Sequence, residues 1–137
     1  TKFRYITIML DESKPKMFGL ESVDFDKVVY VTEGPLDSCF VDNSVAMAGS
    51  DANLSMNDVN AVMVYDNEPR SIEIVKKIEK AIGQHYGVVI WPQGIKNKDI
   101  NDMILSGMST ADIKLVIEQN TYKGLEASMA LTNWRRC

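Results

Sequence analysis

The residues VTEGPLDS, 31–38, are the clearest indication of how this chain folds. They overlap a short apolar run, KVVYVT at 27–32, whose β-branched content is typical of a strand buried on both faces. Two carboxylates, Glu33 and Asp37, come directly after this run, and Pro35 between them suits the first turn of a helix. A buried strand followed by a helix is the unit of a parallel sheet, so the stretch predicts an α/β fold.

Strands and helices alternate along the rest of the chain. Short apolar runs predict three more strands, in SVAMAGS (44–50), AVMVY (61–65) and GVVIW (87–91). Helices are expected in PRSIEIVKKIEKAI (69–82), INDMILSG (100–107) and STADIKLVIEQN (109–120), with one or two helical turns in NLSMNDVN (53–60). Strands that alternate with helices are connected by crossovers. We therefore expect a roughly four-stranded parallel sheet with helices on both faces.

Two of these helices carry more specific signals. The helix in 69–82 has Ile72, Val75, Ile78 and Ile82 at helical spacing, and this stripe is expected to face the core. Its lysines Lys76, Lys77 and Lys80 are expected to be solvated. In the helix after residue 108, Ser109 or Thr110 is suited to cap the first turn, where Asp112 also lies.

The two ends of the chain are less regular. Residues 1–26 are predicted to form a connection that can include one strand, at Tyr5–Leu10, before the main core of the fold at 27–120. Residues 121–137 are expected to form a C-terminal helix or tail. Within it, Trp134, Arg135 and Arg136 are predicted to be exposed or to face a partner.

Composition excludes several classes of protein. The 137 residues, 45% of them hydrophobic, suit one globular domain, and no apolar stretch reaches the ~18 residues of a membrane span. Cys39 and Cys137 are too few for a disulfide framework, which favours a cytoplasmic location, and Cys39 is expected to be buried. A net charge of −4 argues against an autonomous nucleic-acid binder, so such binding would depend on local patches, metal ions or another domain.

Three of the predicted strands end on acidic residues. The pairs are Glu33 with Asp37, Asp66 with Glu68, and Asp99 with Asp102. In an open parallel sheet the loops after the carboxyl ends of the strands line one crevice, so the three pairs are expected to converge.

Neighbouring carboxylates repel one another unless protons or cations neutralise them, and hard oxygen ligands favour Mg²⁺ or Mn²⁺. Lys96 and Lys98 lie in the third acidic loop, where they could bind phosphates. A simpler alternative stays open for most of the acids. Helix capping alone could explain Asp66, Glu68 and Asp99, which lie at the starts of the following helices. Asp37 could simply be solvated.

At these residues the chain resembles the Toprim domain, a metal-binding fold of primases, topoisomerases and some nucleases. EGPLD at 33–37 matches its Glu motif, and DNE at 66–68 matches its Asp-x-Asp motif with Glu68 as the second acid. KDIND at 98–102 resembles the third acidic segment of primases, with Asn101 where an acid often stands. Together with AMAGSD at 46–51, these segments resemble the primases of T4-type bacteriophages.

The resemblance implies a function and a set of roles. It implies metal-dependent nucleotidyl transfer that makes RNA primers from ribonucleotides on single-stranded DNA. Glu33 would assist proton transfer or help to hold metal, and Mg²⁺ or Mn²⁺ would be bound by Asp66, Glu68 and Asp99 with support from Asp37. It also implies a replicative helicase partner and a zinc-binding domain on another part of a longer protein.

Two other functions stay open at this stage. A Toprim nuclease or topoisomerase would use the same acids to cleave phosphodiesters, although Tyr65 lies too close to Asp66 to be a topoisomerase nucleophile. A non-enzymatic receiver-like phosphoacceptor module also gathers acids at strand ends. Its expected lysine could be Lys96 or Lys98, but its paired acids and Ser/Thr switch are not evident.

Overall fold

A computed structural model describes residues 16–18, 23–24, 26–48 and 60–137. The strand predicted at Tyr5–Leu10 and most of the helical turns predicted at 53–60 lie outside these residues. The described part contains one six-stranded sheet with the order β1-β3-β2-β4-β5-β6. Its strands are β1 Lys16–Phe18, β2 Val29–Thr32, β3 Ser44–Ala48, β4 Ala61–Val64, β5 Gly87–Val89 and β6 Thr121–Tyr122.

The four central strands are parallel, as the sequence predicts. β2 pairs in parallel with both β3 and β4, and β4 pairs in parallel with β5. The predicted strand number is wrong, because β1 and β6 add an antiparallel strand at each edge. These strands have three and two residues, which is too short for an alternating apolar pattern to show.

Helices cover both faces of the sheet. Their bounds are α1 Pro35–Ser38, α2 Ile72–Gly83, α3 Ile100–Leu105, α4 Thr110–Gln119 and α5 Gly124–Trp134. Buried side chains of α2 and α5 pack on one face, and those of α3 and α4 pack on the other. Successive strand residues alternate between the two cores, so that Met63 belongs to the first and Val64 to the second. None of the described helices has both the length and the apolar character that crossing a membrane requires.

The helix caps follow from local sequence, and the apolar stripe predicted in α2 is confirmed except at its first residue. Ser109 forms a capping box with Asp112 at the start of α4, as predicted. In α2 the buried residues are Ile74, Val75, Ile78 and Ala81. Ile72, the first residue of the helix, is 46% exposed, so the predicted stripe is wrong at this position, whereas Val75 and Ile78 are buried and Ile82 is partly buried against the core.

The C-terminal segment is part of the packed structure. Trp134 is only 6% exposed and belongs to the core beneath α2, so the prediction that it is exposed is wrong. The backbone N–H of Arg136 donates to the carbonyl of Pro69 over 2.7 Å, which holds the end of the chain beside the β4–α2 loop. The expectation that Cys39 is buried is also wrong, because the short helix α1 leaves this side chain exposed.

Candidate active site

The strand order puts the three acidic loops side by side. The central strands lie in the order β3-β2-β4-β5, so the direction in which the chain adds strands reverses between β2 and β4. Ligands of doubly wound sheets bind at such a reversal, outside the carboxyl ends of the strands. Glu33 follows β2 and Asp66 follows β4 at this point, and the Asp66 N–H donates to Glu33 Oε1 over 3.2 Å.

Two more carboxylates reach this crevice from short helices. Asp37 in α1 is buried, and its Oδ1 accepts a hydrogen bond from the Asn101 N–H over 3.0 Å, which ties α1 to the start of α3. Asp99 is the N-cap of α3, and its Oδ1 accepts the Asp102 N–H over 2.7 Å. Asp99 therefore caps α3, as the sequence allowed. Its negative charge also acts on Asp66.

Burial and neighbouring negative charges raise the pKa of two of the acids. Burial raises the pKa of Asp66 to about 7, with further contributions from the negative charges of Glu33, Asp37, Asp99 and Glu68. Burial also raises the pKa of Asp37. The hydrogen bond from the Asn101 N–H lowers this pKa, and the charges of Asp99 and Glu33 raise it further. Asp66 and the four carboxylates whose charges act on it are hereafter called the acid cluster: Glu33, Asp37, Asp66, Glu68 and Asp99.

One residue between the acids organises the loops, and the sequence analysis missed it. The backbone N–H of Asn67 donates to the Lys98 carbonyl over 2.6 Å, and its Nδ2 donates to the carbonyls of Ile95 and Asn97 over 2.9 and 3.0 Å. Its Oδ1 accepts the Trp134 Nε1–H over 3.2 Å. Asn67 therefore connects the β4 loop, the β5 loop and α5, and no local pattern could have indicated partners so far away in the chain.

A lysine expected to be solvated contacts the acid cluster. Lys77 Nζ in α2 lies 3.2 Å from Glu33 Oε2, and the two side chains are only 26% and 25% exposed. The prediction that Lys77 only solvates a helix face is therefore wrong. Its ammonium group and the Asp66 N–H hold the two oxygens of the Glu33 carboxylate in a defined orientation.

The two predicted phosphate-binding lysines lie in different surroundings. Lys98 Nζ is 3.9 Å from Glu68 Oε1, at the rim of the acid cluster, and its side chain is 61% exposed. Lys96 lines a cavity of about 260 Å³ that Asn67 and Trp134 also line. Of these two lysines, only Lys98 contacts an acid-cluster residue among the described contacts.

Comparison with known proteins supports the relationship that the motifs suggested. The chain is 35% identical to the DNA primase of Enterobacteria phage T4, over an alignment of 137 residues that covers 97% of this chain. The chain is related to a phage DNA primase. It spans 40% of the length of that primase. No protein-family model matches the chain, so the Toprim assignment stays a prediction.

The acid cluster of this primase-related chain has the donor chemistry of a magnesium or manganese site. All its ligands are carboxylate oxygens, which Mg²⁺ and Mn²⁺ prefer. In the part of the chain that the structure describes, the Asp66 and Glu68 side chains accept no hydrogen bond shorter than 3.5 Å, so their oxygens are available. Within the same residues, no three Asp, Glu, His or Cys side chains are already arranged to hold a metal ion, so side-chain rotation would have to accompany binding.

Proposed function

We propose that this chain is the Toprim domain of a DNA primase, which makes RNA primers on single-stranded DNA by metal-dependent nucleotidyl transfer. One observation carries the proposal. Carboxylates from the loops after β2, β4 and β5 gather around Asp66 at the reversal point of the sheet, in a chain that is 35% identical to a phage DNA primase.

The proposed roles follow the surroundings of each acid. Asp66, Glu68 and Asp99 would hold Mg²⁺ or Mn²⁺, and Asp37 would orient the start of α3 through its bond to Asn101. When bound, such ions activate the attacking 3′ hydroxyl and stabilise the charge of the leaving pyrophosphate. Their positive charge would also favour the ionised form of Asp66, whose pKa is otherwise raised to about 7.

Glu33 is the proposed proton acceptor or an additional ligand. One of its oxygens is held by Lys77 and the other by the Asp66 N–H, so the carboxylate cannot rotate freely. A carboxylate held in this way can accept the proton of a substrate hydroxyl without first reorganising.

The template and the other partners would be bound largely outside the acid cluster. The net charge of −4 leaves only local basic groups for nucleic acid, with Lys98 beside Glu68 and Lys96 beyond Asn67. A zinc-binding domain and a replicative helicase would supply further contacts in the complete protein, which acts in the cytoplasm of the host.

The sequence relationship, and not the topology, favours a primase over a receiver module. The order β3-β2-β4-β5 is the 2-1-3-4 order that receiver modules also have. A receiver would be phosphorylated on an aspartate by acetyl phosphate, and incubation with this reagent followed by intact mass measurement distinguishes the two. A nuclease would cut labelled single-stranded DNA in the presence of Mg²⁺.

Replacement of Asp66 by Asn in the full-length protein tests the proposal. We expect Mg²⁺-dependent primer synthesis to fall by at least about a hundredfold, because loss of a group that stabilises transition-state charge has effects of this order. The matched control is Asp42→Asn, which makes the same change at an exposed carboxylate. Normal synthesis by a folded Asp66→Asn variant would refute the assignment, as would DNA cleavage or aspartyl phosphorylation in place of synthesis.

A further inference from the structure

A basic pocket lies beside the acid cluster, on the other side of Asn67. Its volume is about 260 Å³, and the loops after β4 and β5 and the end of the chain form its walls. Three cationic side chains line it: Arg70, Lys96 and Arg136. No acidic residue is among the described residues that line it, although the whole chain has a net charge of −4. Positive charge is therefore concentrated here.

The cations are available to a ligand. Within the described residues, Arg70 and Lys96 form no ion pair, and both side chains are exposed. Arg136 is held in place, because its Nη1 donates to the carbonyls of Asn133, Trp134 and Arg135 over 2.8, 3.2 and 2.9 Å. Its Nη2 and Nε have no such partners in that part of the chain, so a fixed guanidinium presents free N–H groups.

The size of the pocket limits what it can bind. Pockets for drug-sized ligands have volumes of roughly 300–1,000 Å³, so this one suits a phosphate group or a short phosphate chain better than a whole nucleotide. Arg and Lys side chains are the usual protein ligands of phosphate. Asn67 lines the pocket and its backbone lies between Asp66 and Glu68, so a phosphate bound here would lie next to the acid cluster.

We propose that Arg70, Lys96 and Arg136 form a phosphate-binding pocket, which takes phosphate groups of a nucleoside triphosphate or of a nucleic-acid strand. This deepens the proposed function, because it joins Lys96 with Arg70 and Arg136 in one site and names phosphate as its ligand, separate from the acids assigned to catalysis. Only the identity of the molecule that carries the phosphate rests on the proposed function.

Binding without divalent ions tests the pocket separately from the acid cluster. In EDTA at low ionic strength, the full-length protein is titrated with ATP and, in parallel, with a fluorescent single-stranded oligonucleotide. Arg70→Gln and Lys96→Gln are each expected to weaken binding by roughly threefold to tenfold, the effect of losing one hydrogen bond of ordinary strength, because both side chains are exposed to solvent. The control, Lys114→Gln, removes an exposed lysine from α4, a helix that contributes no residue to the pocket lining.

The outcomes separate the possible ligands. Weaker binding of ATP assigns the pocket to the triphosphate, and weaker binding of the oligonucleotide alone assigns it to a strand. For the strand, a smaller dependence of affinity on salt should accompany the loss. Arg136→Gln is included, but Arg70→Gln and Lys96→Gln carry the test if that variant unfolds, since Arg136 also binds chain carbonyls.

The inference is overturned if the wild-type protein binds neither probe in EDTA, if both pocket variants bind as the wild type does, or if Lys114→Gln is equally weakened. Asp66→Asn should bind ATP in EDTA at least as tightly as the wild type, because it removes a neighbouring negative charge. Normal primer synthesis by Asp66→Asn would refute the proposed function and leave the pocket standing. Unchanged binding by the pocket variants would refute the phosphate-binding pocket and leave the proposed function standing.

Discussion

Replacing Asp66 by Asn should stabilise the cation-free protein at neutral and alkaline pH, although the same change should abolish synthesis. Burial is the main reason that the charged form of Asp66 is unfavourable, and the charges of Glu33, Asp37, Asp99 and Glu68 add to it. Asn has nearly the same shape and no charge, so it removes both the cost of burying the charge and the repulsion without creating a cavity. The prediction follows because an unneutralised acid cluster lowers the free energy of unfolding.

The magnitude follows from the pKa. In the folded protein the pKa of Asp66 is raised from 3.8 to about 7, so the folded state holds a proton that the unfolded state has already released. The free energy of unfolding therefore falls as the pH rises from about 4 to about 7, and this destabilisation stays at its full value above that range. At about 1.4 kcal/mol per pKa unit, the upper limit is about 4 kcal/mol. Because Asp66 is partly exposed and salt screens its neighbours, we expect about 1–3 kcal/mol.

Urea unfolding in EDTA measures the effect. The free energies of unfolding of the wild type and Asp66→Asn are compared at about pH 4.5 and about pH 8, and the difference in favour of the variant should widen as the pH rises. Asp42→Asn, at an exposed carboxylate, serves as the control for loss of one charge. A variant that is no more stable than the wild type at the higher pH would refute the reasoning, as would an equal gain in the control.

Three further predictions concern cations, the Lys77 ion pair and the C-terminal tryptophan. Mn²⁺ should raise the Tm of the wild type, and the Asp66→Ala, Glu68→Ala double variant should lose this rise. Lys77→Gln should lower the free energy of unfolding by less than about 1 kcal/mol, since the pair is partly exposed, while reducing primer synthesis more strongly. Trp134→Phe should cost about 1–3 kcal/mol in urea unfolding, because Asn67 Oδ1 loses its donor.

Each of these experiments has a contradicting outcome. An equal rise of Tm in the double variant would place Mn²⁺ outside the acid cluster. If Lys77→Gln and Lys76→Gln have the same synthesis rate, Lys77 does not position Glu33, because Lys76 is an exposed neighbour on the same helix. Unchanged stability of Trp134→Phe would show that the Asn67 side chain finds other partners.

Much of the architecture was predictable because it depends on local patterns. The β-branched runs of β2 and β4 and the capping residues Ser109 and Asp112 are contiguous signals, and the parallel centre of the sheet follows from strands that alternate with helices. The edge strands β1 and β6 were missed because they are shorter than any periodic pattern. The stripe of α2 was correct at Val75 and Ile78 but wrong at Ile72, because helical spacing alone does not show how far along the helix the contact with the core extends.

The sequence by itself determined the α/β class and the acids that follow β2, β4 and β5, since both are properties of adjacent residues. Only the tertiary structure decided which distant side chains meet. Glu33 and Lys77 are 44 residues apart, and Asn67 and Trp134 are 67 apart. The three walls of the basic pocket likewise come from separate segments. Such contacts depend on how the helices pack on the sheet. The number of residues between two side chains in the sequence does not show how far apart they lie in the folded protein.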